Sequence, residues 1–414
     1  MRAAYDIAVI GAGPAGLAAG LAAAALGLDA VVIGPRADAS DGRSAALFQA
    51  STTLLKNLGA WEGLAGHVQP LDAIRLVDAS EALFRAPEVT FHARDIDLDA
   101  FGYMVPNGAL TGALEAAAQG RVARITALVE SLDIQGDRVD IAGADGSQVS
   151  ARLVAAADGR ASPSRAAAGI ATTNWSYDQA AVVTTFAHTR RHKNISTEFH
   201  RRAGPLTVAP GPGDTSSLVW VETPDEAARL AALDDAAFAF ELRRHIGGLL
   251  GAVSDFAPRR VFRLSGQTAS TLAQNRVALI GEAGHVIPPI GAQGLNLSLR
   301  DAATLATVAA EAKAAGGDCG ADAALAAYAA QRGPDIQSRV FGVDLLNRSL
   351  LSEFLPVHFA RGFGLYALAT IPVLRRAVMR EGVAPTSGLP ALMREAARSS
   401  ASMGALDVPA KRRA

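Results

Sequence analysis

Six residues near the start, Gly11-Ala-Gly13-Pro-Ala-Gly16, constrain this chain more than any others. Asp6–Ile10 before them reads as a short buried strand, and Leu17–Leu26 after them as a helix stopped by Gly27. Ala30–Ile33 then reads as a second strand. A strand that turns this tightly into a helix needs glycine where backbone passes backbone, and the helix start offers unpaired N–H groups. That arrangement takes a pyrophosphate at the helix N-terminus, so dinucleotide binding is favoured over a plain strand–helix turn. The acid expected at the end of the second strand, where it would hold ribose, is replaced by Gly34-Pro35-Arg36. Asp38 or Asp41 would substitute only if the loop folds back.

Two later stretches carry comparable information. Val277–Ile280 is an apolar run ended by Gly281, followed by Glu282-Ala-Gly-His285, a Pro288-Pro289-Ile-Gly291 turn, and Gln293-Gly294-Leu295-Asn296 opening an Ala-rich helix to about Lys313. The loop is longer and richer in proline than an ordinary connection, and it leads to a helix N-terminus suited to an anionic group. Leu153–Ala157 is a buried strand ending in Asp158-Gly159, with Ser162-Pro163 capping a short helix and Arg165 beyond.

At 414 residues the chain exceeds one typical domain, and half of it is hydrophobic. The net charge of −1 argues against nucleic acid as the main partner. The charge is uneven: residues 356–414 hold nine Lys/Arg against three Asp/Glu, or +6, which leaves −7 for the rest. A single cysteine, Cys319, fits a reducing compartment, and no signal peptide is apparent, so a cytoplasmic protein is expected. No histidine set has a defensible metal spacing, so no metal is expected.

In chain order, Asp41–Leu47 is read as opening a helix that runs to Leu58. Arg43 near its start suits either a phosphate or a solvated surface. Ala73–Asp78 and Leu83–Phe91 read as strands, Asn107–Ala118 as a helix, and Ile125–Leu153 as a meander turning at Gly136-Asp137 and Asp145-Gly146. Residues 174–262 are β-rich with a helix at about Asp225–Leu233, the mark of an inserted sheet. From about Ser338 the chain is helical with Pro/Gly interruptions, and 385–414 reads as a loose tail. Phe354–Leu374 is apolar but broken by His358, Arg361 and Pro372, which fits core packing or a membrane surface equally, and not a span.

Taken in order, Gly11–Gly16, Asp158–Arg165 and Gly281–Asn296 resemble the fingerprint of single-component flavin aromatic hydroxylases, with the p-hydroxybenzoate hydroxylase type of fold. Asp41-Gly-Arg-Ser-Ala-Ala-Leu47, Ser196-Thr-Glu-Phe199 and Pro288–Asn296 resemble the ubiquinone-biosynthesis hydroxylases of the UbiH type. Glu282 and Gly284 stand where Asp and Ala are usual, and Glu keeps the carboxylate. The resemblance implies an α/β fold: a Rossmann-like FAD-binding domain (1–72, 100–173, 263–340), an inserted, mainly antiparallel substrate sheet (73–99, 174–262), and a C-terminal helical segment and tail (341–414).

It further implies FAD, an external donor such as NAD(P)H, and O2, with hydroxylation of a polyprenylated phenol through a C4a-hydroperoxyflavin. Gly11, Gly13, Ala15 and Gly16 would take the pyrophosphate, with Arg43 and Asn107 nearby. Asp158, Gly159 and Glu282 would hold the middle of the cofactor. Pro289, Gly291, Gln293, Gly294, Leu295 and Asn296 would border the isoalloxazine. His285, Pro289 and Gln293 are candidates for the face shared by flavin and substrate, His285 being equally suited to a structural role. A homo-oligomer, other ubiquinone-biosynthesis proteins and a peripheral contact at the inner face of the membrane are the partners it suggests. A hydroxylase of a soluble aromatic, a flavin-bearing subunit with little activity alone, and a nicotinamide dehydrogenase using the first motif only are the competing readings.

Overall fold

The computed structural model describes residues 3–36, 43–80, 87–351, 364, 366–368, 370–383 and 388–395. Asp38, Asp41, the start of the Leu83–Phe91 run, most of Phe354–Leu374 and most of the 385–414 tail lie outside the described residues.

An eight-stranded sheet forms the first layer. Its parallel centre runs β8 (Ala123–Ile125), β2 (Ala30–Ile33), β1 (Ala3–Ile10), β11 (Gln148–Ala156) and β19 (Val277–Leu279), with β18 (Ala273–Gln274) antiparallel at the edge. β9 (Val129–Ile134) and β10 (Val139–Gly143) extend it along the first half of β11. Both faces are covered, so the central strands are apolar without alternation. Ile7 and Val9 pack under α1 (Pro14–Ala25), α3 (Asn107–Ala118) and α7 (Gln293–Ala314), whereas Ala8 and Ile10 meet Val139, Ile141 and Ala168. Helix α1 sits close to the sheet because Gly20 has no side chain: a Cβ there would come 2.5 Å from Val32.

The second layer is a nine-stranded sheet ordered β20 (His285–Val286), β17 (Arg260–Ala269), β12 (Thr172–His188), β15 (Thr215–Glu222), β14 (Gly204–Pro210), β13 (Ile195–Arg201), β5 (Ala73–Asp78) and β6 (Val89–His92). β16 (Val253–Ser254) pairs with β12, and only β13 and β5 run parallel. Its helical cover is α5 (Pro224–Ala232) and α6 (Asp235–Ile246), which bury Leu230, Phe238 and Leu242 against Phe186, Leu206 and Trp220. α6 was not anticipated, although its signals are plain: Asp234 caps it by accepting from the Ala237 N–H at 2.8 Å, and Gly247 ends it at φ 61°.

A small sheet of β3 (Ser44–Phe48), β7 (Gly102–Pro106) and β4 (Gln69–Pro70) joins the layers. Here the expectation of a helix from Asp41 to Leu58 is corrected: residues 44–48 form a strand, and α2 (Gln49–Asn57) begins only after it. Ser-Ala-Ala-Leu is a reasonable helix start by propensity, but pairing with 102–106 satisfies its backbone and decides the outcome. Beyond α4 (Pro163–Ala167), the long helix α8 (Asp322–Leu351) continues through Gly333-Pro334 and across position 340, and α9 (Pro372–Val383) follows. Pro334 lies inside this helix on its exposed side and offers no N–H to the helical hydrogen bonds. Among the described residues no helix is long and apolar enough to cross a membrane, and no His/Cys/Asp/Glu cluster could hold a metal.

Asp301 of α7, fully buried, ties the two ends of the third motif to α8. Its Oδ2 accepts from the Gly281 N–H at 3.0 Å and from His285 Nε2 at 2.7 Å, and its Oδ1 from Arg332 Nε at 2.7 Å. Burial pushes this carboxyl up, but Arg332, His285 and the Gly281 N–H outweigh burial and hold it below its usual value of 3.8. A carboxyl lowered in the folded state contributes stability that is complete above 3.8 and lost as pH falls toward the folded value, because the unfolded chain then binds protons first. Asp301→Asn leaves Arg332 buried with one ionic partner removed, an expected cost of about 3–5 kcal/mol in urea unfolding at neutral pH. The variant should also show a shallower loss of stability on acidification than the wild type. An unchanged urea midpoint would mean that Asp335 alone suffices for Arg332.

Candidate active site

The three motifs meet because their strands are neighbours. Ile10, Ala156 and Leu279 stand in register at the carboxyl ends of β1, β11 and β19. The crossing is closed by the Ala157 N–H donating to Ile10 O and the Ile280 N–H to Ala156 O, both at 2.8 Å. A crevice beyond the carboxyl ends of parallel strands is where such sheets take ligands.

The glycines of the first motif do different jobs. A Cβ on Gly11 (φ 109°) would lie 2.2 Å from Ala157 O, and one on Gly16 would lie 1.9 Å from Gly11 O. Both are demanded by the protein's own packing. A Cβ on Gly13 would meet no protein atom within 4 Å. Gly13 caps α1 without a side-chain hydrogen bond, so the first-turn N–H groups point toward a space that the protein leaves clear. Ala15 faces the third motif, 3.9 Å from where a Gly281 side chain would begin. Beside this turn a groove of about 500 Å³ runs from Leu17 and Val32 past Arg36 to Gly108, Thr111 and Glu115 of α3. Arg124 holds the end of β2 there, donating to Gly34 O at 2.8 Å.

In the second motif Asp158 Oδ2 accepts from the Ser164 N–H at 2.9 Å, while its buried Oδ1 has no partner among the described residues. Gly159 adopts φ 83°, and Ser162 caps α4 as its Ser-Pro pair predicts, accepting from the Arg165 N–H at 2.9 Å. Arg165 Nη1 donates to Ala283 O at 2.8 Å and so joins the second motif to the third.

In the third motif Glu282 is exposed, and its carboxylate makes no hydrogen bond or ion pair among the described residues. Pro289 and Gly291 are exposed, and Gln293, Gly294 and Leu295 form a half-buried first turn of α7. His285, a candidate for the face shared by flavin and substrate, is buried and turns Nε2 inward to Asp301, while its Nδ1 has no partner among the described residues. Asn296 also turns inward. Its Nδ2 donates to Ala46 O at 2.8 Å and Ala292 O at 2.7 Å, and its Oδ1 accepts from the Phe48 N–H at 2.9 Å and Ser51 Oγ at 2.7 Å. It thereby fixes β3 and α2 to the α7 turn.

Arg43 is exposed, with its guanidinium 5.5 Å from the Phe262 ring centroid, which places it at the border of the second sheet. Asn107 lies at the head of α3, its N–H donating to Arg43 O at 2.9 Å. Asp301 and Arg332 went unnoticed in the sequence. The signal was a charged pair, Arg300-Asp301, on a helix whose other inward residues are mostly Ala and Leu.

Comparison with known proteins agrees with this geometry. The FAD binding domain family matches residues 4–340. The chain is 39% identical over 350 residues to the ubiquinone hydroxylase UbiL of Rhodospirillum rubrum, covering 83% of this chain and 80% of that protein. It is 28% identical to the 3-demethoxyubiquinol 3-hydroxylase of Escherichia coli, over 82% of this chain and 86% of that one. Among solved structures, p-nitrophenol 4-monooxygenase PnpA of Pseudomonas putida superposes with a TM-score of 0.75 at 19% identity, covering 93% of this chain and 99% of that one, a likeness of fold.

The contrast between glycines gives a test. Gly13→Val should leave the apoprotein's thermal unfolding near the wild type but yield colourless protein, because only a ligand uses that space. Gly16→Val should destabilise the fold itself through its 1.9 Å clash with backbone. Normal flavin absorbance in purified Gly13→Val would show that the pyrophosphate lies elsewhere.

Proposed function

The chain belongs to the FAD binding domain family of flavin-dependent hydroxylases, and on that premise we propose that it hydroxylates the aromatic ring of a polyprenylated phenol in ubiquinone biosynthesis, using FAD, NAD(P)H and O2. The similarity to UbiL along 83% of the chain carries this reading, and the meeting of the three motifs supports it. One oxygen atom enters the ring and the other leaves as water, with two electrons from the donor.

The residues present fit the cofactor. Clear space at Gly13, an unpartnered buried Asp158 Oδ1 and the uncommitted Glu282 carboxylate are what a pyrophosphate and a hydroxylated chain require. Gly11, Gly13, Ala15 and Gly16 would take the pyrophosphate, with Arg43 and Asn107 on the same side. Asp158, Gly159 and Glu282 would hold the hydroxylated middle. Pro289, Gly291 and the turn Gln293–Asn296 would border the ring system, where the α7 N-terminus favours negative charge. Oxygen activation is the chemistry FAD supplies when bound, and the protein's share is to orient the phenol and exclude water.

If Glu282 accepts from a ribityl hydroxyl, Glu282→Ala should weaken FAD binding by roughly tenfold to a hundredfold, and Glu282→Asp by less. Equal dissociation constants would take Glu282 out of the site.

Helix α9 supports a lipid-tailed substrate. It exposes Val373, Leu374 and Val378 beside Arg376 and Arg380, an apolar strip with cationic flanks, and Ile371 just before it is exposed too. Arg375 is half-buried and lies 3.9 Å from Asp95, whereas Arg380 stays exposed although its Nη2 is 3.4 Å from Asp97. Each arginine near an anionic surface adds about 1 kcal/mol of attraction, which salt weakens. Arg376→Glu with Arg380→Glu should therefore abolish salt-sensitive binding to anionic liposomes. Oxygen uptake with a long-tailed phenol should fall more than with a short-tailed one. Equal turnover of both tails by wild type and variant points to a soluble aromatic substrate. Yellow protein with no uptake on any phenol points to a flavin-bearing subunit.

A further inference from the structure

The turn that opens α7 does little to hold itself. Ala292 stands at φ 53°, a left-handed conformation that costs a residue with a side chain roughly 1–2 kcal/mol. Gly291 before it is also left-handed at φ 67°, and no side chain caps the helix. Two amides close the turn instead. Asn296 Nδ2 donates to Ala292 O at 2.7 Å, and Gln293 Nε2 donates to Gly291 O at 3.0 Å. Asn296 is locked by β3 and α2. Gln293 is locked from α8.

That lock is Arg339. Its Nη1 donates to Gln293 Oε1 at 2.9 Å, which leaves the amide nitrogen of Gln293 directed at Gly291 O and, at 3.3 Å, at Gly382 O. Its Nη2 donates to Glu381 O at 3.2 Å. Its Nε donates to Asp335 Oδ1 at 2.9 Å, one helical turn earlier. Asp335 is partly buried, yet Arg300, Arg332 and Arg339 hold its carboxyl well below the usual range, so the group that aims Arg339 stays ionised. One guanidinium, 10% exposed, thus clasps the α7 turn and the end of α9 together.

We propose that Arg339 is a positioning residue for the flavin: it is not among the residues that would border the cofactor, but through Gln293 it sets the direction of the α7 N-terminal N–H groups. This rests on the reading that the α7 turn faces the flavin ring. Reduced flavin carries more negative charge than oxidised flavin, so it depends more on a well-aimed helix N-terminus. A bystander in the fold would affect both forms alike. A positioning residue separates them.

The test measures dissociation constants of full-length protein for oxidised and for reduced FAD. For Arg339→Met, which keeps the stem and loses the fork, the ratio of reduced to oxidised dissociation constants should rise about fivefold over wild type. Arg339→Lys keeps a charge but cannot reach Gln293 and Glu381 at once, so its ratio should fall between the two. Arg348→Met, on an exposed part of α8, should leave the ratio unchanged. If Arg339→Met does not fold, the Arg339→Lys ratio decides, and a wild-type ratio there overturns the proposal. Equal weakening of both forms, or no weakening, also overturns it, while wild-type protein that binds no FAD overturns the underlying cofactor reading as well.

Discussion

The carboxylate of Asp301 joins the end of β19, the start of β20 and helix α8 through hydrogen bonds to Gly281, His285 and Arg332, and the crevice keeps its shape only while these hold. Burying a carboxylate and a guanidinium costs several kcal/mol each, which their attraction offsets only when the remaining valences are also filled. Here both carboxylate oxygens are used and Arg332 has a second acceptor in Asp335 at 2.7 Å, while Arg332 Nη2 and His285 Nδ1 have no partner among the described residues. Such a network adds little net stability over an apolar core of the same shape. What it adds is uniqueness: Gly281 at φ 60° can turn in one way only, because its N–H has one destination.

Around that anchor the site divides its labour between groups that fix the backbone and groups left open. Gly11, Gly16 and Asn296 are consumed by the protein itself, as is Nε2 of His285. Gly13, Asp158 Oδ1 and Glu282 are not: the first leaves clear space, the second is a buried acceptor without a partner among the described residues, and the third is an exposed acid. A buried acceptor without a partner costs about 1–3 kcal/mol, so its presence at the meeting of three motifs is itself a statement about a ligand.

The layered α/β architecture was readable in the sequence because it rests on local patterns: apolar runs too short for helices, glycine turns and proline breaks. The N-cap at Ser162 and the turns at 136–137 and 145–146 followed from single residues. The strand at 44–48 was not readable, since its pairing partner is more than fifty residues away and its composition suits a helix. His285 and Asn296 look like ligand contacts in one dimension, being polar residues in a glycine-rich loop. Their inward orientation depends on Asp301 and on β3, and nothing in the spacing encodes it.

Strand β19 lies beside β11 in the first sheet, yet the whole of β12 to β17 separates them along the chain. Helix α7, which covers α1, comes later still. A nascent chain that has left the ribosome as far as Arg165 therefore holds two of the three motifs and a helix, α1, that α3 and the first strands cover but α7 does not yet. The side of α1 that meets α7 must wait through the synthesis of most of the second sheet. Such a chain is exposed to aggregation for most of its translation, and chaperones would have most to protect in that interval. Cofactor loading then belongs to the end of synthesis, when a late segment closes an early one.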